Sequence, residues 1–304
     1  MSILNSLRRR QTTSAGTSQP IEVGAVAWGR ELNDALAASA KSGKPVFALF
    51  QEVPGCAGCK QFGAEVLSDR AIVDAIEEAF EPLLIHNNTG GRDAEVLAAF
   101  GEPAWNYQVV RFLDAEGADL LPRRDKVWET GPLAARMVAA LEIAEQPVPD
   151  YLRLLEQEHS NRLQTLHFAQ SCFWVGEMEL GQIDGVVTTQ AAFMGGHEIT
   201  TVRFDPLAVS PDAVVAEAVR RGQASRVYAD GDLLKELEYA GINASPADYS
   251  SHRVAPGRDQ KRQIGGGSSY KGLTEAQLTK INAFGRTSAK RAKQFLAPSL
   301  RSML

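Results

Sequence analysis

The pair Cys56-Ala57-Gly58-Cys59 is the first group of residues whose types and spacing suit chemistry. It follows an apolar run typical of a buried strand and opens a stretch that suits a helix. Backbone amides at a helix N-terminus stabilise negative charge, so the first sulfur favours its thiolate form. A thiolate attacks a disulfide, and a second thiol one turn further on resolves the mixed disulfide. The spacing therefore predicts a redox-active dithiol.

Two other interpretations of this pair stay open: it could be half of a metal site or a chance pairing. A zinc site of four cysteines is excluded because the chain has only 3 cysteines. A mixed site could use His86 or His159, but neither stands at the spacing of a zinc knuckle. The sequence predicts neither a metal nor another cofactor.

A second group surrounds the lone thiol Cys172. Phe173 and Trp174 follow it directly, where a strand is expected to end and a helix to begin. Sulfoxide reduction would use this combination, because a thiolate attacks the sulfur, aromatic rings hold the methyl group and an acid protonates the leaving oxygen. The alternative is a structural cysteine in an ordinary core, where cysteine and large aromatic residues are often buried.

Composition limits the classes of protein that the chain can belong to. Its 304 residues are 44% hydrophobic, enough for one large domain or two ordinary ones. The formal net charge of -5 disfavours a protein that coats nucleic acid. No apolar run approaches the ~18–20 residues of a bilayer span, and the N-terminal arginines precede a polar stretch instead of the apolar core of a secretory signal. We therefore expect a cytoplasmic protein with no membrane partner.

The apolar pattern divides the chain into five parts. They are a disordered tail (1–20), a redox domain (21–147), a linker helix (148–164), a second α/β domain (165–250) and a basic extension (251–304). The order of elements in the redox domain predicts an α/β fold with a mixed sheet. Within it, Ser68 is predicted to cap a helix, and residues 109–113 and 119–121 to pair as a hairpin.

The extension has eleven Lys or Arg residues against two Asp or Glu. Neither it nor the Arg8–Arg10 run carries the interleaved aromatic residues that stack on bases, so we expect solvated tails and not nucleic-acid contacts. Thr274 and Gln277 have the spacing of a capping box and predict a last helix.

The chain around the dithiol resembles the thioredoxin superfamily over residues ~28–144. Within it, Val53-Pro54-Gly55-Cys56 is similar to a bacterial thioredoxin-like (seleno)protein family named for Val-Pro-Gly-selenocysteine-x-Thr. The resemblance implies that Cys56, at the selenocysteine position, is the attacking group. Gly58 replaces the threonine of that name. Gln108 stands where thioredoxins place a cis-proline, and we expect a trans bond there because a cis bond without proline costs roughly 3–4 kcal/mol.

The chain around the lone thiol resembles peptide methionine sulfoxide reductase of the A class over residues ~165–222. The positions that match the spacing of that family are Cys172, Phe173, Trp174, Glu177, Gly185, Val186, Phe193, Gly195 and Gly196, followed by His197 and Glu198. The resemblance implies an α/β sandwich in which the aromatic residues bind substrate. It assigns the proton-donating carboxylate to Glu177 more safely than to Glu198. His197 could tune Glu198 or be an ordinary residue at a strand edge.

Three departures from that family concern its pocket. Ser171 replaces a glycine, and the loop between Gly195-Gly196 and His197-Glu198 is missing together with its substrate-binding tyrosine. A later family segment, Asp…Gln-Tyr-Arg-Ser, has only a faint counterpart in residues 259–262.

Together the two groups predict a relay of electrons. The unit that carries Cys172 has no second cysteine, so a sulfenic acid formed there would need the Cys56/Cys59 dithiol to resolve it. The expected substrates are methionine sulfoxide or a related oxidised group, with an external thioredoxin or glutathione system as reductant. One alternative is a thiol peroxidase or disulfide reductase that acts through Cys56 alone, beside an inactive second domain. Another is a non-catalytic redox-sensing scaffold.

Overall fold

The computed structural model describes residues 19–104, 108–266 and 270–304. Most of the predicted disordered tail (1–20), together with the Arg8–Arg10 run, lies outside these residues. So does the Tyr107–Gln108 peptide bond, because Tyr107 is not described. Among the described residues no helix is long and apolar enough to cross a membrane.

A three-stranded mixed sheet forms the centre of the N-terminal unit, as the sequence predicts. Strand β1 (Val46–Gln51) lies between β2 (Glu81–His86), which is parallel to it, and β3 (Val109–Leu113), which is antiparallel. Every residue of β1 is buried. Its side chains alternate between two apolar clusters, with Phe47 in one and Phe50 in the other, because successive side chains of a strand point to opposite faces.

Five helices surround this sheet. They are α1 (Leu32–Ser42), α2 (Ala57–Glu65), α3 (Arg70–Ala79), α4 (Arg92–Phe100) and α5 (Thr130–Ile143). The residues of α3 and α5 contribute to the cluster that contains Phe47, whereas those of α1 and α4 contribute to the one that contains Phe50. The sheet is therefore covered on both faces.

One local prediction in this unit is wrong, and another is confirmed only in a shortened form. The N-cap of α3 is Asp69 and not Ser68, because the Asp69 carboxylate accepts from the first amides of the helix, while the Ser68 hydroxyl donates to the Gly63 carbonyl. The hairpin after β3 forms, but it is short: the chain turns at Asp114–Gly117, the Leu120 amide donates to the Phe112 carbonyl, and Leu113 and Asp119 form a single bridge. Pro122 follows closely and lacks the backbone donor that a longer ladder would use.

The predicted linker helix is a packed element. It forms α6 (Asp150–Glu158), shorter than the predicted 148–164. Tyr151 and Leu155 belong to the core of the N-terminal unit, while Leu154 packs with Val187 of the second unit. The charged residues of the segment suggested an exposed connection, but its apolar residues face both units.

A six-stranded sheet forms the second unit, in the order β8-β7-β4-β6-β5-β9. Its strands are β4 (Gln164–Ala169), β5 (Val186–Met194), β6 (His197–Phe204), β7 (Arg226–Ala229), β8 (Ser245–Pro246) and β9 (Arg253–Val254). Its helices are α7 (Phe173–Leu180), α8 (Pro211–Arg220) and α9 (Gly231–Tyr239). A tight turn through Gly195 and Gly196, both with positive φ, joins β5 to β6. Only these two glycines separate the strands.

The C-terminal extension is folded against both units, which corrects the expectation of a solvated tail. It contains α10 (Glu275–Phe284) and α11 (Ala289–Gln294), and the capping box of Thr274 and Gln277 starts α10 as predicted. Ile281 of α10 is part of the N-terminal core. The extension is basic overall, but it also contains enough apolar residues to pack against both units.

Candidate active site

The dithiol lies at the N-terminus of α2, after the loop that follows β1. Cys56 is the N-cap residue of α2 and is exposed, whereas Cys59 in the first turn is buried. Their sulfur atoms are 3.3 Å apart. The first sulfur is thus open to an incoming substrate, and the second stands within reach of it from behind.

The two thiols differ in acidity. The pKa of Cys56 is lowered, first by the backbone amide of Cys59 that points at its sulfur, with further help from the Cys59 thiol and the Gly58 amide. Burial, together with the neighbouring Cys56 sulfur, raises the pKa of Cys59 to about 11. Cys56 is therefore the thiol that loses its proton at the lower pH, and Cys59 remains protonated when Cys56 is a thiolate.

Two polar residues that the sequence did not point to support the loop before Cys56. Glu22 is buried, and its carboxylate accepts a hydrogen bond of 2.9 Å from the Gly55 amide. Burial opposes its charge, but hydrogen bonds from backbone amides and the charge of Lys60 hold the pKa of Glu22 below its usual value. Gln51 donates to the carbonyls of Glu22 and Cys59. Glu22 stands in a segment distant in sequence, so no local signal could have found it.

Trp128 explains the glycine between the cysteines. A Cβ atom on Gly58 would lie 2.6 Å from Cζ3 of the Trp128 ring, closer than real contacts allow. The indole therefore packs on the loop of the dithiol at a place where a larger side chain such as threonine would collide.

One group of ligand atoms beside the dithiol could hold a metal ion. The carboxylate of Glu52 and the sulfurs of Cys56 and Cys59 lie within 4.8 Å of one another. Two thiolates and a carboxylate are donors that zinc accepts. No other such group occurs within residues 19–104, 108–266 and 270–304, and neither His86 nor His159 belongs to this one.

Cys172 stands at the start of α7 and is half-buried. The next amide, that of Phe173, donates a hydrogen bond of 2.9 Å to the carboxylate of Glu198. On the neighbouring strand, Phe193 lies opposite Glu198, and its ring centroid is 5.3 Å from that of Phe173. Tertiary structure thus brings Glu198 and the Phe193 ring to Phe173, the residue that follows the predicted thiol.

Glu177 lies elsewhere, and the geometry favours Glu198 as the carboxylate next to Cys172. The Glu177 side chain is 0% exposed, and its two oxygens accept from the backbone amide and the Nζ of Lys261, at 2.7 and 2.8 Å. Burial raises the pKa of Glu177, and the charge of Lys261 offsets part of this. Glu177 therefore holds the segment around Lys261 onto α7, and its carboxylate is closed off from solvent. The only feature of the sequence that pointed to this contact was the faint resemblance of residues 259–262 to a segment of the methionine sulfoxide reductase family.

The aromatic residues beside Cys172 differ in exposure. Phe173 is 4% exposed and packs with Phe193, Ala191 and Ala255. Trp174 is 36% exposed, and the guanidinium of Arg262 covers its ring at 5.2 Å. Trp174 is therefore the more accessible of these two neighbours.

The extension closes this side of the second unit. The side chain of Gln260 accepts from the Ala191 amide and donates to the carbonyls of Ala191 and Ala255. His197, by contrast, is exposed at the end of its strand. The segment 253–262 thus lies beside the aromatic residues, although its basic composition predicted a solvated tail.

The fold and the dithiol define a mixed α/β protein with a thioredoxin-like N-terminal domain and a further α/β domain. A family model described as thioredoxin-like matches residues 27–115. No curated protein matches the chain. A DsbH oxidoreductase structure is similar with 18% identity and a TM-score of 0.34, over 44% of this chain and 94% of that one. Methionine sulfoxide reductase A of Corynebacterium diphtheriae is similar with 18% identity and a TM-score of 0.29, over 43% of this chain and 92% of that one. The thioredoxin-like domain with its dithiol supports a thiol–disulfide oxidoreductase kind of enzyme.

Proposed function

We propose that this chain is a thiol–disulfide oxidoreductase whose Cys56/Cys59 dithiol supplies electrons to Cys172. One observation carries the first half of the proposal: two sulfurs 3.3 Å apart, the exposed one acidic and the buried one not. That division suits a nucleophile and a resolving thiol. The likeness of Cys56 to a selenocysteine position supports the same division.

The second half concerns an oxidised sulfur substrate, with methionine sulfoxide as the simplest case. The Cys172 thiolate attacks the sulfoxide sulfur, the sulfide leaves, and the oxygen remains on Cys172 as a sulfenic acid. The Cys56 thiolate attacks that sulfenic acid, forms a mixed disulfide and releases water. Cys59 then attacks Cys56, which restores the Cys172 thiol and leaves a Cys56–Cys59 disulfide. An external thiol of a thioredoxin or glutathione system reduces this disulfide.

Glu198 is the carboxylate that we place in this reaction. It accepts from the Phe173 amide, which follows Cys172 in the chain, and it is half-buried near the start of β6. A protonated carboxyl group there would give its proton to the sulfoxide oxygen as the sulfur–oxygen bond breaks. Glu177 has no such access, because Lys261 occupies both of its oxygens.

Disulfide mapping after a single turnover tests the relay. The reduced full-length chain receives one equivalent of methionine sulfoxide, and we expect one equivalent of methionine and a Cys56–Cys59 disulfide. The Cys59→Ser variant should stop at a Cys56–Cys172 disulfide. Cys172→Ser should form no methionine, yet its dithiol should still reduce a small disulfide. An unchanged Cys172 with no methionine formed would show that the relay is wrong.

A second candidate function places all chemistry at Cys56. The packing of Phe173 against Phe193 and Ala255 favours it, because that cluster fills space that a substrate methyl group would need. The protein would then be a disulfide reductase or thiol peroxidase. Turnover of peroxide or of a protein disulfide that survives Cys172→Ala but not Cys56→Ala would select this function.

A further inference from the structure

Three adjacent strands place a row of side chains across the sheet beside Cys172. Glu198 of β6 lies opposite Phe193 of β5, and Phe193 lies opposite Arg253 of β9. Residues directly opposite each other on antiparallel strands share a face of the sheet. The Arg253 guanidinium accordingly lies 5.3 Å from the centroid of the Phe193 ring. The row therefore has a carboxylate at one end and a guanidinium at the other.

A second guanidinium stands on the helix side of the same aromatic cluster. Arg262 covers the ring of Trp174, which in turn contacts Phe173 at 6.1 Å between centroids. Arg253 and Arg262 are thus held over the two rings that flank Phe173. Both side chains belong to the segment 251–264, which the extension contributes.

Among the described residues, these two cations have no anionic partner. No residue within the described ranges forms a salt bridge or side-chain hydrogen bond with Arg253 or Arg262, and both are exposed. Other arginines behave differently: Arg111 and Arg162, for example, each bind two carboxylates. Two oriented guanidinium groups with free donors are a ready site for a carboxylate, because the planar fork of arginine matches carboxylate geometry.

We propose that Arg253 and Arg262 form an anion-recognition rim, and that the oxidised sulfur compound that reacts at Cys172 carries a carboxylate near its sulfur. This inference rests on the proposed function for its substrate, but not for the rim itself. The carboxylate could be the α-carboxylate of a free amino acid or an acidic side chain next to an oxidised residue in a peptide. Both sources present the same group to the rim.

Alkylation of Cys172 by a charged and a neutral reagent tests the rim without any turnover. The reduced full-length protein is treated with iodoacetate or iodoacetamide at low ionic strength, and the rate at each cysteine is read by peptide mass spectrometry. A unit charge within a Debye length of the thiolate, in a water-like dielectric, changes such a rate roughly two-fold, so two guanidiniums change it roughly four-fold. The iodoacetate/iodoacetamide rate ratio at Cys172 should therefore fall roughly four-fold in Arg253→Gln/Arg262→Gln.

Three comparisons in the same experiment separate charge from structure. Cys56 is an internal control whose ratio should stay constant in every variant. Arg258→Gln is the matched control, because Arg258 belongs to the same segment, is 82% exposed and has Asp259 at 3.8 Å. Arg253→Lys/Arg262→Lys keeps the charges and should keep most of the ratio. If the ratio at Cys172 is the same in wild type and the double Gln variant, or falls equally in Arg258→Gln, the two arginines are ordinary solvated cations and the rim is wrong.

Steady-state kinetics then identify the source of the carboxylate. Free methionine sulfoxide, its N-acetyl amide, and blocked peptides with Asp or Asn beside methionine sulfoxide are compared. A higher kcat/KM for free methionine sulfoxide would identify the α-carboxylate as the source, and a higher kcat/KM for the Asp-containing peptide would identify the acidic side chain. Loss of that preference in the double Gln variant supports the rim as a substrate site. Equal kcat/KM for the neutral and anionic compounds overturns the substrate assignment. If no sulfoxide is turned over while the alkylation ratio responds, the proposed function fails and the rim stands.

Discussion

Replacement of Lys261 should be among the most damaging single changes in the second unit. The Lys261 side chain is 2% exposed, and its Nζ lies 2.8 Å from Glu177 and 2.5 Å from the carbonyl of Thr189. Glu275 also lies 3.5 Å away, but it is mostly exposed and contributes little. Lys261→Met removes the ammonium and leaves Glu177 with the Lys261 backbone amide as its donor. An uncompensated buried charge costs about 3–5 kcal/mol, so we expect a loss of that order in the free energy of unfolding at pH 7.

The loss should depend on pH in a definite direction. Burial raises the pKa of Glu177, and the variant removes the charge that offsets it. A carboxyl group whose folded pKa exceeds its unfolded value destabilises the fold as the pH rises through the interval between the two. The difference between Lys261→Met and wild type should therefore be smaller at pH 5 than at pH 7.

Urea unfolding at both pH values measures these differences. The double variant Glu177→Gln/Lys261→Met removes both buried charges and should recover most of the lost stability. Arg258→Gln, an exposed neighbour in the same segment, should stay within about 0.5 kcal/mol of wild type. A loss below about 1 kcal/mol, an equal loss at both pH values, or no recovery in the double variant would refute the buried ion pair as the bond between this segment and α7.

Three further changes probe the dithiol and its domain. Gly58→Thr should destabilise the domain by about 1–3 kcal/mol because its Cβ meets the Trp128 ring, and Trp128→Ala added to it should restore part of that loss in a thermal melt. The rate of Cys56 alkylation against pH should show a midpoint below 9.0, because the amides of the helix start lower its pKa; a midpoint at or above 9.0 would contradict the assigned nucleophile. Asp69→Ala should cost about 1 kcal/mol in urea unfolding through loss of the helix cap, and more than Ser68→Ala; the reverse order would contradict the cap seen in the structure.

Much of the N-terminal domain could be predicted from its sequence because its signals are local. The apolar run of β1, the start of α2 at the first cysteine and the boundaries of β2 all depend on residues close in sequence. The same holds for the helix that starts after Cys172. Period, caps and glycines act over a few residues, so they can be read without knowing the rest of the chain.

The packing of the C-terminal extension could not be predicted from local sequence signals. Its charge suggested a solvated tail, yet α10 is buried along nearly its whole length, including Lys280, whose ammonium donates to the Gly181 carbonyl. A helix that is covered on all sides shows no clear amphipathic period. Only the presence of two domain surfaces decides that its apolar residues have partners.

The sequence by itself determined the thioredoxin-like unit with its dithiol, the mixed α/β class and the order of most elements. The tertiary structure decided which groups meet: Glu22 and Trp128 at the dithiol, Glu198 in place of Glu177 beside Cys172, and a segment near the C-terminus around the aromatic rings. Contacts between residues separated by tens of positions depend on how strands are ordered and helices packed. Local propensities do not encode that arrangement, because it arises from burying the whole set of apolar faces at once.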